Sequence, residues 1–296
     1  MKDFKGLDHN SVEYRNLYDE VLAHPFVKKF ENSQNANGFW PPFHGYTEGV
    51  ILYLLSCGLD KRAPVLDKVL HCLVRLLEGV EATGQHEKHD NPLWYPVVFE
   101  PLIFSAMLSL LDGTNENIVL HRQRWARFAE SVFSKGVYDA EADSEAQRVH
   151  FEFKTKRTIP PFGYYNLLLL APKYGDNYIS DKTDQGLVDY LMNEAAGIYY
   201  VYNNKLGEPV PISAQNKDSR DFCNWIRALS LVSQFKGWEK YEQKYVDWIM
   251  TQRNEHGLWE FPKKFDFALS NSWRGKNKMI DSTIFVLRLL MKKKAF

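Results

Sequence analysis

The sequence predicts an all-α protein built as a single α/α toroid, and three observations carry that expectation. Apolar residues recur at helical spacing in stretch after stretch, whereas strand signals are few. Stretches that are apolar on most faces alternate with stretches that are apolar on one face only. A short motif, glycine or proline, then any residue, then an aromatic, closes a helical stretch repeatedly, at intervals of roughly 45–60 residues, the period of a repeat architecture.

The helical stretches fall in order along the chain. Residues 11–31 form a polar, amphipathic stretch, and 46–58 are mostly apolar and end near Gly58. Residues 62–80 place Val65, Leu66, Val69, Leu70, Leu73 and Leu76 on one face. Residues 97–112 are apolar nearly all round, 119–135 carry charges and Trp125, and 162–172 contain the run Leu167–Leu170. Residues 183–196 are amphipathic, 219–234 mixed, 238–253 amphipathic and 279–291 apolar on most faces. An apolar helix needs burial, and a one-sided helix covers it. The alternation therefore predicts an inner and an outer ring of about five helical hairpins, closing where 11–31 meets 279–291. Strand character is confined to Tyr199–Tyr202, followed by Asn203, Asn204 and Gly207, a candidate short hairpin. Three long connections, 81–95, 136–160 and 197–218, each lead from an outer helix to an inner one, and they are expected to gather at one end of the barrel.

The whole chain, 1–296, is expected to form one domain, since no flexible linker interrupts the repeats. Lys plus Arg and Asp plus Glu both number 37, so no net charge draws the chain to nucleic acid or to an anionic membrane. The three cysteines, Cys57, Cys72 and Cys223, are too few and too far apart for a disulfide framework. Together with an N-terminus lacking the apolar segment of a signal peptide, they predict a cytoplasmic protein. No apolar run approaches the ~20 residues of a membrane span.

The repeat carries a resemblance. The series Phe30, Gln34, Gly38, Trp40 and the series Trp248, Gln252, Gly257, Trp259 resemble the glutamine–tryptophan repeat of terpenoid cyclases and protein prenyltransferases, whose fold is an α/α toroid. The series Tyr190, Glu194, Gly197, Tyr199 is a substituted copy, and Pro92–Trp94 and Gly136–Tyr138 keep only the last elements. The resemblance implies that the Gln side chain ties the end of an outer helix to a neighbouring helix, with the Trp stacked over it. Ser219-Arg220-Asp221-Phe222 is also similar to the prenyltransferase segment carrying a zinc-binding His, but Asn224 stands at that position. The acid motifs of both cyclase classes are absent as well. The resemblance thus implies the fold and a hydrophobic, isoprenoid-type small-molecule ligand, with no metal and no other cofactor.

Each inner helix begins with aromatic and polar residues, which predicts a ring around one mouth of the barrel. The expected binding residues are Trp40, His44, Tyr46, Trp94, Tyr164, Tyr165, Trp225, Arg227, Trp273 and Arg274. An aromatic cup suits an isoprenoid chain, a carbocation or a sugar face. The candidate proton donors are Glu48, Asp139, Asp143, Asp221 and Asp281, because a carboxyl in an apolar mouth has a raised pKa and can protonate an alkene. Asp139, Glu141, Asp143 and Glu145 read as an acidic loop, and Asp281-Ser282 also suits ordinary helix capping. His86, Glu87, His89 and Asp90 have metal-ligand residue types but fall among loop formers. Cys223 reads as a buried thiol and not a nucleophile. Two functions remain open: a terpenoid-cyclase-like enzyme, and a non-catalytic or carbohydrate-active barrel that binds a peptide, lipid or glycan.

Overall fold

The computed structural model describes residues 8–80, 95–151, 162–172, 177–193, 197–198, 201–212, 221–261 and 278–291. Among them every regular element is helical, and the sole β feature is an isolated bridge between Ile198 and Tyr202 where a hairpin was expected. The chain divides into two compact units. The first takes its described residues from Met1–Ile118, the second from Val119–Phe265 and Asn271–Phe296.

The first unit holds α1 (Val12–Ala23), α2 (Pro25–Ser33), α3 (Glu48–Ser56), α4 (Pro64–Leu77) and α5 (Glu100–Leu111). The stretch expected as one helix over 11–31 is two. Pro25 bars its predecessor from helical geometry, and His24 is extended, with ψ 134°. Proline then suits the first position of α2, where no amide hydrogen is needed. α4 buries Val65, Leu66, Val69, Cys72, Leu73 and Leu76 and packs against α5, which is buried on nearly every side. α3 and α5 are each entered through a single wide π-helical turn, Phe43–Thr47 before α3 and Tyr95–Phe99 before α5.

The second unit holds α6 (Val119–Val132), α7 (Ala140–Phe151), α8 (Tyr164–Leu170), α9 (Asp181–Asn193), α10 (Asp221–Val232), α11 (Glu242–Thr251) and α12 (Lys278–Met291). α7 corrects the expectation of a long loop over 136–160. Its sequence is rich in Ala, Glu, Gln and Arg, strong helix formers, but it lacks the large apolar residues that announce an amphipathic helix. Its buried face is made of Asp143, Ala146, Gln147 and Phe151. α6 packs on α7 and α8, α8 on α10, and α9 against a 3-10 turn at Lys236–Lys240. Tyr165 to Leu170 of α8 are all buried.

Candidate functional site

The candidate residues cluster around the aromatic turns, so the site is built from them. In the first copy, the amide of Asn35 donates to the carbonyl of Phe39 (3.0 Å) and Gly38 closes back on Asn35 (2.9 Å), with Gly38 at φ 93°. Trp40 is 1% exposed, and its indole Nε1–H donates to the Phe30 carbonyl at 3.0 Å. The Trp40 amide donates to Thr47 Oγ1 (2.9 Å), and the Thr47 hydroxyl donates back to the Trp40 carbonyl.

The last copy repeats this bond for bond. Asn254 donates to Leu258 (2.8 Å), Gly257 donates to Asn254 (2.9 Å) at φ 75°, and Trp259 Nε1–H donates to the Ile249 carbonyl (2.8 Å). The Trp259 amide donates to Thr283 Oγ1 at 3.1 Å, and the Thr283 hydroxyl returns to the Trp259 carbonyl at 3.4 Å. Thr47 and Thr283, which pattern reading passed over, are thus equivalent anchors between each turn and the helix it launches.

The glutamines are not equivalent. The register that aligns Asn35 with Asn254 aligns Gln34 with Arg253, one residue beyond Gln252. Gln34 Nε2 donates to the carbonyls of Gly38 (2.8 Å) and of Val65 at the start of α4 (2.9 Å). Gln252 instead accepts through Oε1 from the Ile212 amide at 3.1 Å.

The copy at Gly136 shares the glycine closure but not the forward amide bond, since the Phe133 amide donates to Ala129 (2.9 Å). Gly136 has φ 80° and its amide bonds to the Phe133 carbonyl at 2.7 Å. Tyr138 stacks on Tyr190 with ring centroids 4.4 Å apart, and its hydroxyl donates to Asp143 Oδ2 at 2.7 Å. Of the substituted copy, Gly197 is described, while Glu194 and Tyr199 lie outside the described residues, as does Pro92–Trp94.

The five candidate acids have separate environments. Asp139 precedes α7, accepts from the amides of Glu141 and Ala142 (both 3.1 Å) and pairs with Lys135 at 2.7 Å; that lysine holds its carboxyl below the usual range. Asp143 is 2% exposed, and burial pushes its carboxyl up against the opposing hydrogen bonds from Gln147 (2.9 Å) and Tyr138. Glu48 is 6% exposed and accepts from the Gly45 amide at 3.2 Å. Asp221 opens α10 and is exposed.

Asp281 differs from the other four. It lies in the first turn of α12, burial pushes its carboxyl up, and its Oδ2 is shielded from solvent with no hydrogen-bond donor. The next two residues are fixed by the last aromatic turn, since Ser282 Oγ accepts from the Phe261 amide (3.1 Å) and Thr283 holds Trp259. One helical turn along, Phe285 meets Phe261 edge-on at 5.9 Å, and Phe261 meets Phe222 at 5.0 Å. Asp281 therefore shares a helix face with the entry to an aromatic cluster that continues to Trp225 and Trp248, whose rings are 5.0 Å apart.

The expected binding residues spread over several roles. Trp225 is fully buried and donates from its indole N–H to the Leu206 carbonyl at 2.9 Å. Tyr165 is buried and Tyr164 half-buried, with ring centroids 5.2 Å apart. Arg227 is half-buried on α10, and Tyr46 is exposed. His44 contributes backbone to the π-helical turn before α3. Trp94, Trp273, Arg274 and the cluster from His86 to Asp90 lie outside the described residues. Trp40, His44, Tyr46 and Glu48 belong to the first unit, and Tyr164, Tyr165, Trp225, Arg227, Asp139, Asp143, Asp221 and Asp281 to the second.

Two further features had no pattern signal. Asp184 on α9 is 3% exposed and accepts from the amides of Lys236 (3.1 Å) and Gly237 (2.5 Å), and burial pushes its carboxyl up. Beside it an open groove of about 470 Å³ runs past Asn177, Gln234, Lys236 and Glu239. Among the described residues no group of three or more His, Cys, Asp and Glu side chains could hold a metal ion. Comparison with protein-family models, with curated proteins and with solved structures finds no match for this chain.

Proposed function

We propose that this chain binds a hydrophobic, isoprenoid-type small molecule and acts on it by acid catalysis, in the manner of terpenoid cyclases, with Asp281 as the proton donor. The observation that carries this reading is the half-buried Asp281 carboxyl, with Oδ2 shielded and unpartnered, on the helix face that leads into the Phe285–Phe261–Phe222 cluster. A carboxyl whose anion receives no hydrogen bond holds its proton more tightly, and so remains a donor at higher pH. The proton would pass from Asp281 to an alkene carbon. The resulting cation would lie near aromatic faces, which attract it, and ring closure would end with loss of a proton from a carbon of the product. The alternation of buried and one-sided helices supports an α/α toroid as the frame for this chemistry, as do two bond-for-bond copies of the aromatic turn.

Incubation with squalene-like polyenes and with prenyl diphosphates tests the proposal. The intact chain should yield cyclised product, Asp281→Asn should yield none, and Asp143→Asn should retain activity because Asp143 is engaged by Tyr138 and Gln147. No product from any substrate, or full activity in Asp281→Asn, overturns it. A second reading rests on the groove beside Asn177 and Gln234, whose amides suit a polar ligand such as a glycan or a peptide. Glycan or peptide binding lost on Gln234→Ala, with Asp281→Asn silent, would favour that reading.

A further inference from the structure

The zero net charge of the chain conceals a local imbalance. From Val119 to Ala129, α6 carries His121, Arg122, Arg124 and Arg127 and no acid. Its first carboxylate, Glu130, is engaged by the Ser180 hydroxyl (2.9 Å) and by Thr183 Oγ1 (2.6 Å). α7 runs antiparallel to α6, so its basic C-terminal end lies beside the basic N-terminal half of α6. This is fixed by Phe151 against Trp125 (4.6 Å) and by His150 against Phe128 (6.4 Å). The acids of α7 are gathered at its other end.

Arg124 and Arg127 are exposed, and neither forms an ion pair with a described carboxylate. The Arg124 guanidinium lies over the Phe151 ring, 5.9 Å from its centroid. Both histidines register the excess charge. Burial and then Arg124 push His121 down, while burial and then Arg127 and Arg124 push His150 down. Arg148 is paired with Glu145 at 2.5 Å.

The same end of the helix pair exposes aliphatic side chains. Leu120 is 76% exposed, Val149 56% and Val119 40%. Leu120, Arg124 and Arg127 follow one another at four and then three residues, so they share one face of α6. Solvated arginines account for charge alone. Aliphatic residues left in water among cations match the surface of a peripheral membrane protein, whose apolar side chains enter the acyl boundary while cations meet anionic headgroups.

We propose that the α6–α7 seam around Leu120, Arg124, Arg127 and Val149 docks on an anionic phospholipid membrane. The occupant is a lipid surface and not free phosphate, because the exposed aliphatic residues gain nothing from a soluble anion. This does not depend on the isoprenoid reading: it concerns the outside of the second unit, and Asp281 takes no part in it.

Co-sedimentation with vesicles tests the proposal on the intact chain. Vesicles of phosphatidylcholine with about 30% phosphatidylserine should bind it, pure phosphatidylcholine should bind it weakly, and high salt should release it. Each arginine near an anionic surface contributes a factor of about five, so Arg124→Ser with Arg127→Ser should weaken partition about 30-fold. Leu120→Ser with Val149→Ser should weaken it while keeping the salt dependence. All four positions are exposed, and circular dichroism checks that the variants fold. The proposal falls if the intact chain does not sediment with anionic vesicles, if neutral vesicles bind it equally, or if both double variants bind as the parent does. Release by millimolar inorganic phosphate at constant ionic strength would mark a soluble-anion site and overturn it as well.

Discussion

Asp143 and Asp281 show how a buried and a half-buried carboxyl on one chain acquire different surroundings. Both are pushed up by burial. Asp143 accepts from the phenol of Tyr138 and the amide of Gln147, so a side chain takes the acceptor role that a backbone carbonyl plays for Trp40 and Trp259. Asp281 Oδ2 answers nothing. A carboxyl whose folded pKa is raised binds its proton more tightly in the native state than in the unfolded chain. The native state therefore loses stability as pH rises from the ordinary aspartate value of about 3.9 through the higher folded value. Below that window the penalty is absent, and above it the penalty is complete. Asp143→Asn keeps an acceptor and removes the titration. Denaturant unfolding followed from acid to neutral pH should therefore show a smaller fall for the variant across that window. An identical fall in parent and variant would show that Asp143 does not titrate this way. The position of Asp143 was nameable from composition, but its partner was not. The Gly136–Tyr138 motif is separated from Asp143 by a stretch that pattern reading assigns to a loop, and only its folding as α7 brings hydroxyl and carboxylate together.

At the scale of elements, the aromatic turn is a repeated arrangement of bonds carried by an imperfect arrangement of letters. Glycine, Trp and their spacing were legible because backbone geometry permits few alternatives. Gly38 at φ 93° and Gly257 at φ 75° are in the left-handed region, which an L side chain enters at a cost of roughly 1–2 kcal/mol. The equivalence of Thr47 and Thr283 was hidden, because Thr47 follows its Trp closely and Thr283 comes much later in the chain. The glutamines misled by one residue for the reverse reason: Gln252 fits the letters, but the hydrogen bonds put Arg253 in register with Gln34. The two glycines differ in surroundings. A Cβ on Gly38 would run into the Lys68 carbonyl oxygen on α4, whereas a Cβ on Gly257 would meet nothing within 4 Å. Gly257→Ala should thus cost only the backbone term, about 1 kcal/mol, while Gly38→Ala should cost at least twice that by also forcing the turn away from α4. Urea unfolding of the two variants, read against the parent, compares them directly, and equal losses would show that the turn moves freely off α4. α7 makes the complementary case, since a helix whose buried face is Asp, Ala, Gln and Phe offers no apolar period to read.

For the molecule as a whole, the all-helical class followed from hydrophobic period, because burial is what that period records, whereas α7 did not. The division of the chain into two compact units did not, since no change of composition marks Ile118 and Val119. Each unit contains one complete copy of the turn: Phe30, Trp40 and Thr47 in the first, and Ile249, Trp259 and Thr283 in the second. Stability in a folded chain is local as well as global, and a contact confined to one cooperative unit protects that unit first. Trp40→Phe and Trp259→Phe each remove an indole N–H and some buried volume, a loss of about 2 kcal/mol. Native-state hydrogen exchange should then separate the two. Trp40→Phe should speed exchange in α2 to α4, where Trp40 joins the Phe30 carbonyl to Thr47. Trp259→Phe should speed it in α11 and α12, where Trp259 joins Ile249 to Thr283. Each variant should leave the amides of the other unit near their parental rates. If either substitution instead speeds exchange equally throughout, the chain opens as one cooperative body and the turns do not act as separate fasteners.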